Sequence, residues 1–178
     1  MNQLKGTLYF RVNSDTADRS LNTYGNGAEA TARDRQCVEL IKRYAAKLGF
    51  AGYGGSLGSA DNGNSLPSLG DGFQAASRFA TASGGTFTYV ANGASALPKA
   101  GAVLSIVEWI PGGHVGIICN HDPADAQDGS VNIKLFEQNM PIDTWKEITF
   151  TNRAGKWYGA MLNRGVYRDV VGWANPTG

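Results

Sequence analysis

Ala102-Val103-Leu104-Ser105-Ile106-Val107, Val115-Gly116-Ile117-Ile118-Cys119 and Val131-Asn132-Ile133-Lys134-Leu135-Phe136 are three short apolar runs in close succession. The third alternates apolar and polar residues, the period of two expected of a strand with one buried face. A turn, Pro98-Lys99-Ala100-Gly101, precedes the first run, and Pro111-Gly112-Gly113 precedes the second. Working outward, Thr86-Phe87-Thr88-Tyr89-Val90 alternates in the same way, and Trp157–Leu162 reads as a last strand. Short connections between such runs predict an antiparallel meander.

Upstream the period changes. Val38, Leu40, Ile41, Tyr44, Ala45 and Leu48 recur at helical spacing, from about Gln36 to a stop at Gly49. Phe73–Ala82 reads as a second helix with Asp71 as its cap. Leu8–Val12 is a candidate short strand. Helices first and strands second is the α+β pattern, with N-terminal helices packed on an antiparallel β-sheet. Residues 49–70 form a Gly/Ser/Asn-rich loop. Its Gly52-Tyr53-Gly54-Gly55-Ser56-Leu57-Gly58 is followed by no lysine and preceded by no apolar strand, which argues against a phosphate loop. A loop of that length suits the rim of a binding groove. The 178 residues suit a single domain, 1–178, with its core over about 30–175.

Composition narrows the function. A formal net charge of +1 supplies no long-range attraction to nucleic acid or anionic lipid, so neither is an expected partner. No apolar run reaches the length of a membrane span, so no membrane insertion is expected. Met1-Asn2-Gln3-Leu4-Lys5-Gly6-Thr7 lacks the apolar core of a signal peptide, so synthesis in the cytoplasm without that route is the expectation. A monomer is expected. The two cysteines, Cys37 and Cys119, form no CxxC pair and no disulfide framework. Two buried structural thiols, one reactive thiol, or a single bridge between them remain open at this stage.

Cys37 has the best company for chemistry. It opens the first helix, where the positive end of the helix and a nearby imidazolium both favour thiolate, the reactive form. Free N–H groups at a helix start also suit a developing oxyanion, and Gln36 adds a side-chain amide as a second donor. His114 follows a turn and opens an apolar strand, so it can face a cleft while its neighbours anchor it. His121 lies at the other end of that strand, about 20 Å away if extended, and takes no role. Glu137-Gln138-Asn139 closes the strand from Val131. If the two strands pair antiparallel, that end lies near His114. Glu137 and Asn139, two apart, share a strand face, and either can orient the imidazole. Nucleophile, base and orienter together are the parts of a thiol hydrolase.

The ordered set Gln36-Cys37-Val38-Glu39, Pro98-Lys99-Ala100-Gly101, Gly113-His114-Val115-Gly116-Ile117 and Glu137-Gln138-Asn139 resembles the CHAP family of cysteine, histidine-dependent amidohydrolases and peptidases. The resemblance spans about residues 30–175. It implies a papain-like CHAP fold, with Cys37 as nucleophile, His114 as base, Glu137 as third member and Asn139 as a supporting residue. Gln36 and the Cys37 N–H would form the oxyanion hole. Ala102 stands where many members carry aspartate. The acidic cluster that binds calcium in some members has no counterpart before Cys37; neither residues 13–18 nor 122–128 replace it. No metal, calcium dependence or cofactor is expected.

Most members of the family cut amide bonds of bacterial peptidoglycan, as lysins, wall hydrolases or antibacterial toxins. The expected function is therefore peptidoglycan amidase or endopeptidase, acting at the cell wall, with an immunity protein as partner in the toxin case. One alternative is a glutathionylspermidine amidase-like hydrolase, which Trp109 ahead of Gly113-His114-Val115 and the late Val171-Gly172-Trp173 resemble. Lys42 stands where that branch carries arginine. Trp109 and Lys42 are the candidate substrate-binding residues. A second alternative is a non-catalytic binding module.

Overall fold

The computed structural model describes residues 37–51, 69–107, 113–120, 129–137, 144–163 and 165–178. The expected strand at Leu8–Val12, most of the loop at 49–70, and Gln36, Trp109, His121 and Asn139 lie outside these residues. Among the described residues, two helices, α1 (Cys37–Lys47) and α2 (Gly72–Ala82), precede seven strands. These are β1 (Phe87–Ala91), β2 (Val103–Ile106), β3 (His114–Asn120), β4 (Ser130–Glu137), β5 (Thr144–Arg153), β6 (Lys156–Asn163) and β7 (Val166–Pro176).

The strand order is β1-β7-β2-β3-β4-β5-β6, and β6 pairs back onto β7. Every neighbouring pair is antiparallel. Strands β2 to β7 therefore close into a six-stranded barrel, with β1 added on β7. This overturns the α+β, papain-like expectation of helices layered on an antiparallel sheet. The described residues are mostly β, and their two helices cover one sector of a closed wall.

The physical reason lies in the strands missing from the sequence reading, β5 and β7. β7 is long enough to hold β6 through Val166–Asp169 and β1 through Gly172–Pro176, with β2 along Val170–Ala174. Closure gives each of β2 to β7 a neighbour on both sides, leaves β1 as an added strand, and gives the barrel a core of its own.

Alternation divides the apolar side chains between two cores. Leu104, Ile118, Ile133, Leu135, Phe150 and Trp173 belong to the cluster that fills the barrel. Val103, Val115, Ile117 and Phe136 face outward, against Leu40, Ile41, Tyr44 and Phe79 of the helices. Phe79 anchors this second core. It stacks on Tyr44 at 5.5 Å and meets Phe87 edge to face at 5.0 Å, both favourable aromatic geometries. The Tyr44 hydroxyl donates to Gly101 O at 2.9 Å, tying α1 to the turn that starts β2.

The up-and-down course puts one set of strand ends together. β2, β4 and β6 end at the mouth where β3, β5 and β7 begin. His114 and Glu137, first residue of β3 and last of β4, share that mouth.

Candidate active site

The side chains that the sequence reading brought forward meet where β3 and β4 pair. The register sets Gly116 opposite Glu137 and Ile117 opposite Phe136. His114, two residues before Gly116, lies on the same face as Glu137. It is also opposite Ile106, a member of the barrel-filling cluster. The pair thus stands at the mouth, on the inner side of the wall. His114 Nε2 and Glu137 Oε2 are 2.6 Å apart, with side chains only 2% and 1% exposed. Such a short contact between buried groups is a charge-assisted hydrogen bond.

Cys37 opens α1 and is buried. Its helix packs on the outer face of β3, and at the mouth its thiol hydrogen-bonds to His114. Burial works against charge on the imidazole. Hydrogen bonds to Cys37 and Glu137, and the negative charge of both, outweigh it and raise the His114 pKa to about 10. With Nε2 committed to Glu137, Nδ1 is the nitrogen left for Cys37. The imidazole is thus held charged between a sulfur and a carboxylate through neutral pH.

The backbone that carries His114 is wedged into place. Gly113 adopts a φ of +64°, a left-handed conformation natural to glycine. A Cβ on Gly113 would fall 2.7 Å from Ile106 O, and one on Gly72 would fall 2.8 Å from the His114 N and Cα. The first turn of α2 therefore presses directly on the His114 backbone, with no room for a side chain. Ser105 clamps that turn. Its buried hydroxyl donates to Gly72 O at 2.6 Å and accepts from Ala76 N at 3.0 Å. The sequence reading missed Ser105. The available signal was a lone hydroxyl within an apolar strand, where an unpaired polar group would be costly.

The other candidates fall as follows. Gln36, Trp109 and Asn139 lie outside the described residues. Lys42 sits half-buried on α1, five residues after Cys37. At about 100° per residue it is about 140° around the helix from Cys37, off its face. Cys119 is a free, buried thiol that donates to Ile117 O at 3.2 Å, and burial pushes its pKa well up. That leaves Cys37 as the thiol placed for chemistry. Glu137 Oε1 is buried with no hydrogen-bond partner among the described residues. No group of three or more His, Cys, Asp or Glu side chains among them forms a metal site. Asp71 caps α2 in position only, since its side chain makes no capping hydrogen bond.

Glu137→Gln replaces a charged acceptor by a neutral one. Loss of a charge-assisted bond predicts a fall in kcat of about 10- to 100-fold, less than for loss of the thiol or the imidazole. Steady-state kinetics measures this. Wild-type kcat in Glu137→Gln would remove Glu137 from the mechanism and leave Asn139 as the residue to test.

Compared with known proteins, the chain matches no family model and no curated protein at a significant level.

Proposed function

We propose that the protein is a cysteine amidase or endopeptidase that hydrolyses peptidoglycan amides through Cys37, His114 and Glu137. The observation that carries the reading is the buried imidazole bonded to Glu137 at 2.6 Å and to the thiol at the head of α1. A carboxylate–imidazole–sulfur chain of this kind fits acyl transfer through a thioester. His114 already holds the proton as imidazolium, and the Cys37 thiolate paired with it attacks the carbonyl carbon. The Cys37 N–H stabilises the oxyanion; the loss of one such donor typically costs about 10²–10³ in rate. His114 then protonates the leaving amine; the neutral imidazole takes a proton from water as it attacks the thioester, which releases the acid and restores the thiolate–imidazolium pair. The peptidoglycan assignment rests on the resemblance of the ordered motifs to CHAP enzymes. It concerns the site, not the layering of the fold, because similar chemistry recurs on unrelated scaffolds.

Purified sacculi incubated with wild-type protein should release new soluble muropeptides, read by mass spectrometry, and Cys37→Ala should release none. Cleavage of glutathionylspermidine with no muropeptide release would move the assignment to that substrate. Release by both proteins would remove the thiol from the mechanism.

A further inference from the structure

The barrel mouth that holds His114 and Glu137 also gathers two cations on its inner face. Arg168 lies opposite Met161 in the β6–β7 register and two residues before Val170; both of these belong to the barrel-filling cluster. Lys146 lies opposite Leu135 and two residues before Ile148, again both inside. Residues paired across strands, or two apart along one, share a face. Arg168 is the third residue of β7 and Lys146 the third of β5, so both stand just within the mouth. Each is half-buried.

Arg168 carries a further mark. Its Nε is buried and has no hydrogen-bond partner among the described residues. A guanidinium drawn out of water on one edge has lost hydration there, with no replacing bond among the described residues. Its outer edge, with two Nη groups in a planar fork, matches a carboxylate in geometry and charge. Glu137 does not serve, since its Oε2 is held by His114 and its Oε1 has no partner among the described residues.

From this arrangement we propose that Arg168, aided by Lys146, forms an anion subsite of the same active site and reads a free carboxylate of the substrate next to the scissile amide. The inference rests on the hydrolase reading given above and deepens it. The enzyme would select stem peptides whose carboxylates are free over those whose carboxylates are amidated. The leaving and attacking groups need no change, because the subsite orients the acyl donor and takes no part in bond making.

The experiment compares two substrates: soluble muropeptides with free stem carboxylates, and the same muropeptides after carbodiimide-mediated amidation. The ratio of kcat/KM between them is measured for wild type, Arg168→Lys, Arg168→Met and Lys146→Met. Arg153→Met, at the far end of β5, is the control. A lost charge-assisted bond corresponds to about 10- to 100-fold, so wild type should prefer the free acid by that factor. Arg168→Met should bring the ratio near one, with Arg168→Lys and Lys146→Met in between. Arg153→Met should keep the wild-type ratio.

Cleavage of both substrates at equal rates by wild type, or a preference that survives Arg168→Met, overturns the subsite and leaves the hydrolase reading standing. Hydrolysis of neither substrate overturns the reading instead, and the subsite is then judged by binding alone. Titration of wild-type protein with N-acetyl-D-alanine should shift the Arg168 side-chain NMR resonances, and N-acetyl-D-alaninamide should not. Equal or absent shifts overturn the proposal. Thermal melts of each variant identify any that fails to fold, and the Lys146→Met ratio then carries the test.

Discussion

Cys37→Ala should lose about 10⁴-fold or more in amide hydrolysis while still folding cooperatively. The thiol is a small side chain at a helix start, so its removal takes little from the core. His114→Ala should be almost as inactive, because nucleophile and base act as a unit. The same variant gives a second readout. Cys37 contributes both a hydrogen bond and a charge to the raised His114 pKa of about 10. In Cys37→Ala the imidazole should therefore titrate lower than in wild type, followed by NMR of the His114 ring. The sign for stability follows from the same shift. The folded value lies above the ordinary 6.5, so the protonated site contributes fully below 6.5 and that contribution is lost as pH rises through about 10. Retained activity in Cys37→Ala would end the thiol mechanism. An unmoved His114 titration would show that sulfur and imidazole do not interact.

Trp173→Ala should cost about 3–5 kcal/mol of folding stability, among the largest effects a single substitution produces. Trp173 is fully buried in the barrel and meets Phe150 edge to face at 5.3 Å. It sits on β7, opposite Val90 of β1 and Leu104 of β2, so its loss opens a void beside three strands. Trp173→Phe should cost much less. It keeps an aromatic ring against Phe150 and removes an indole N–H that is buried with no partner among the described residues. Chemical denaturation of the two variants checks the ranking. Equal losses would mean that the indole N–H finds a partner and that the void is not the main cost.

The meeting of His114 with Glu137 was more legible in the sequence than the architecture. His114 stands at the start of one apolar strand and Glu137 at the end of the next, and antiparallel pairing alone brings such ends together. Helical spacing after Cys37, and alternation from Val131 to Phe136, marked α1 and β4 closely. Closure of the sheet was not legible, for two reasons. β5 carries Lys146 and Glu147 ahead of its buried Ile148 and Phe150, and β7 carries Arg168-Asp169 before Val170, so both strands read as polar and broken. Beyond that, closure depends on how many strands pair and how far they tilt, which no local pattern encodes. Ser105 was obscured differently. Its clamp on α2 joins residues more than twenty positions apart, and one hydroxyl in an apolar run does not say where its partner lies.

The order of synthesis adds a consequence of the β7 pairings. β7 comes after every other described element, yet it holds β1, β2 and β6. A nascent chain still lacking Val166–Pro176 has β2 and β6 exposed as open edges, the kind of surface that recruits other chains. His114 and Glu137 are translated well before the wall that shelters them can shut. Synthesis thus delivers His114 and Glu137 well ahead of β7, so closure of the barrel around them waits on Val166–Pro176.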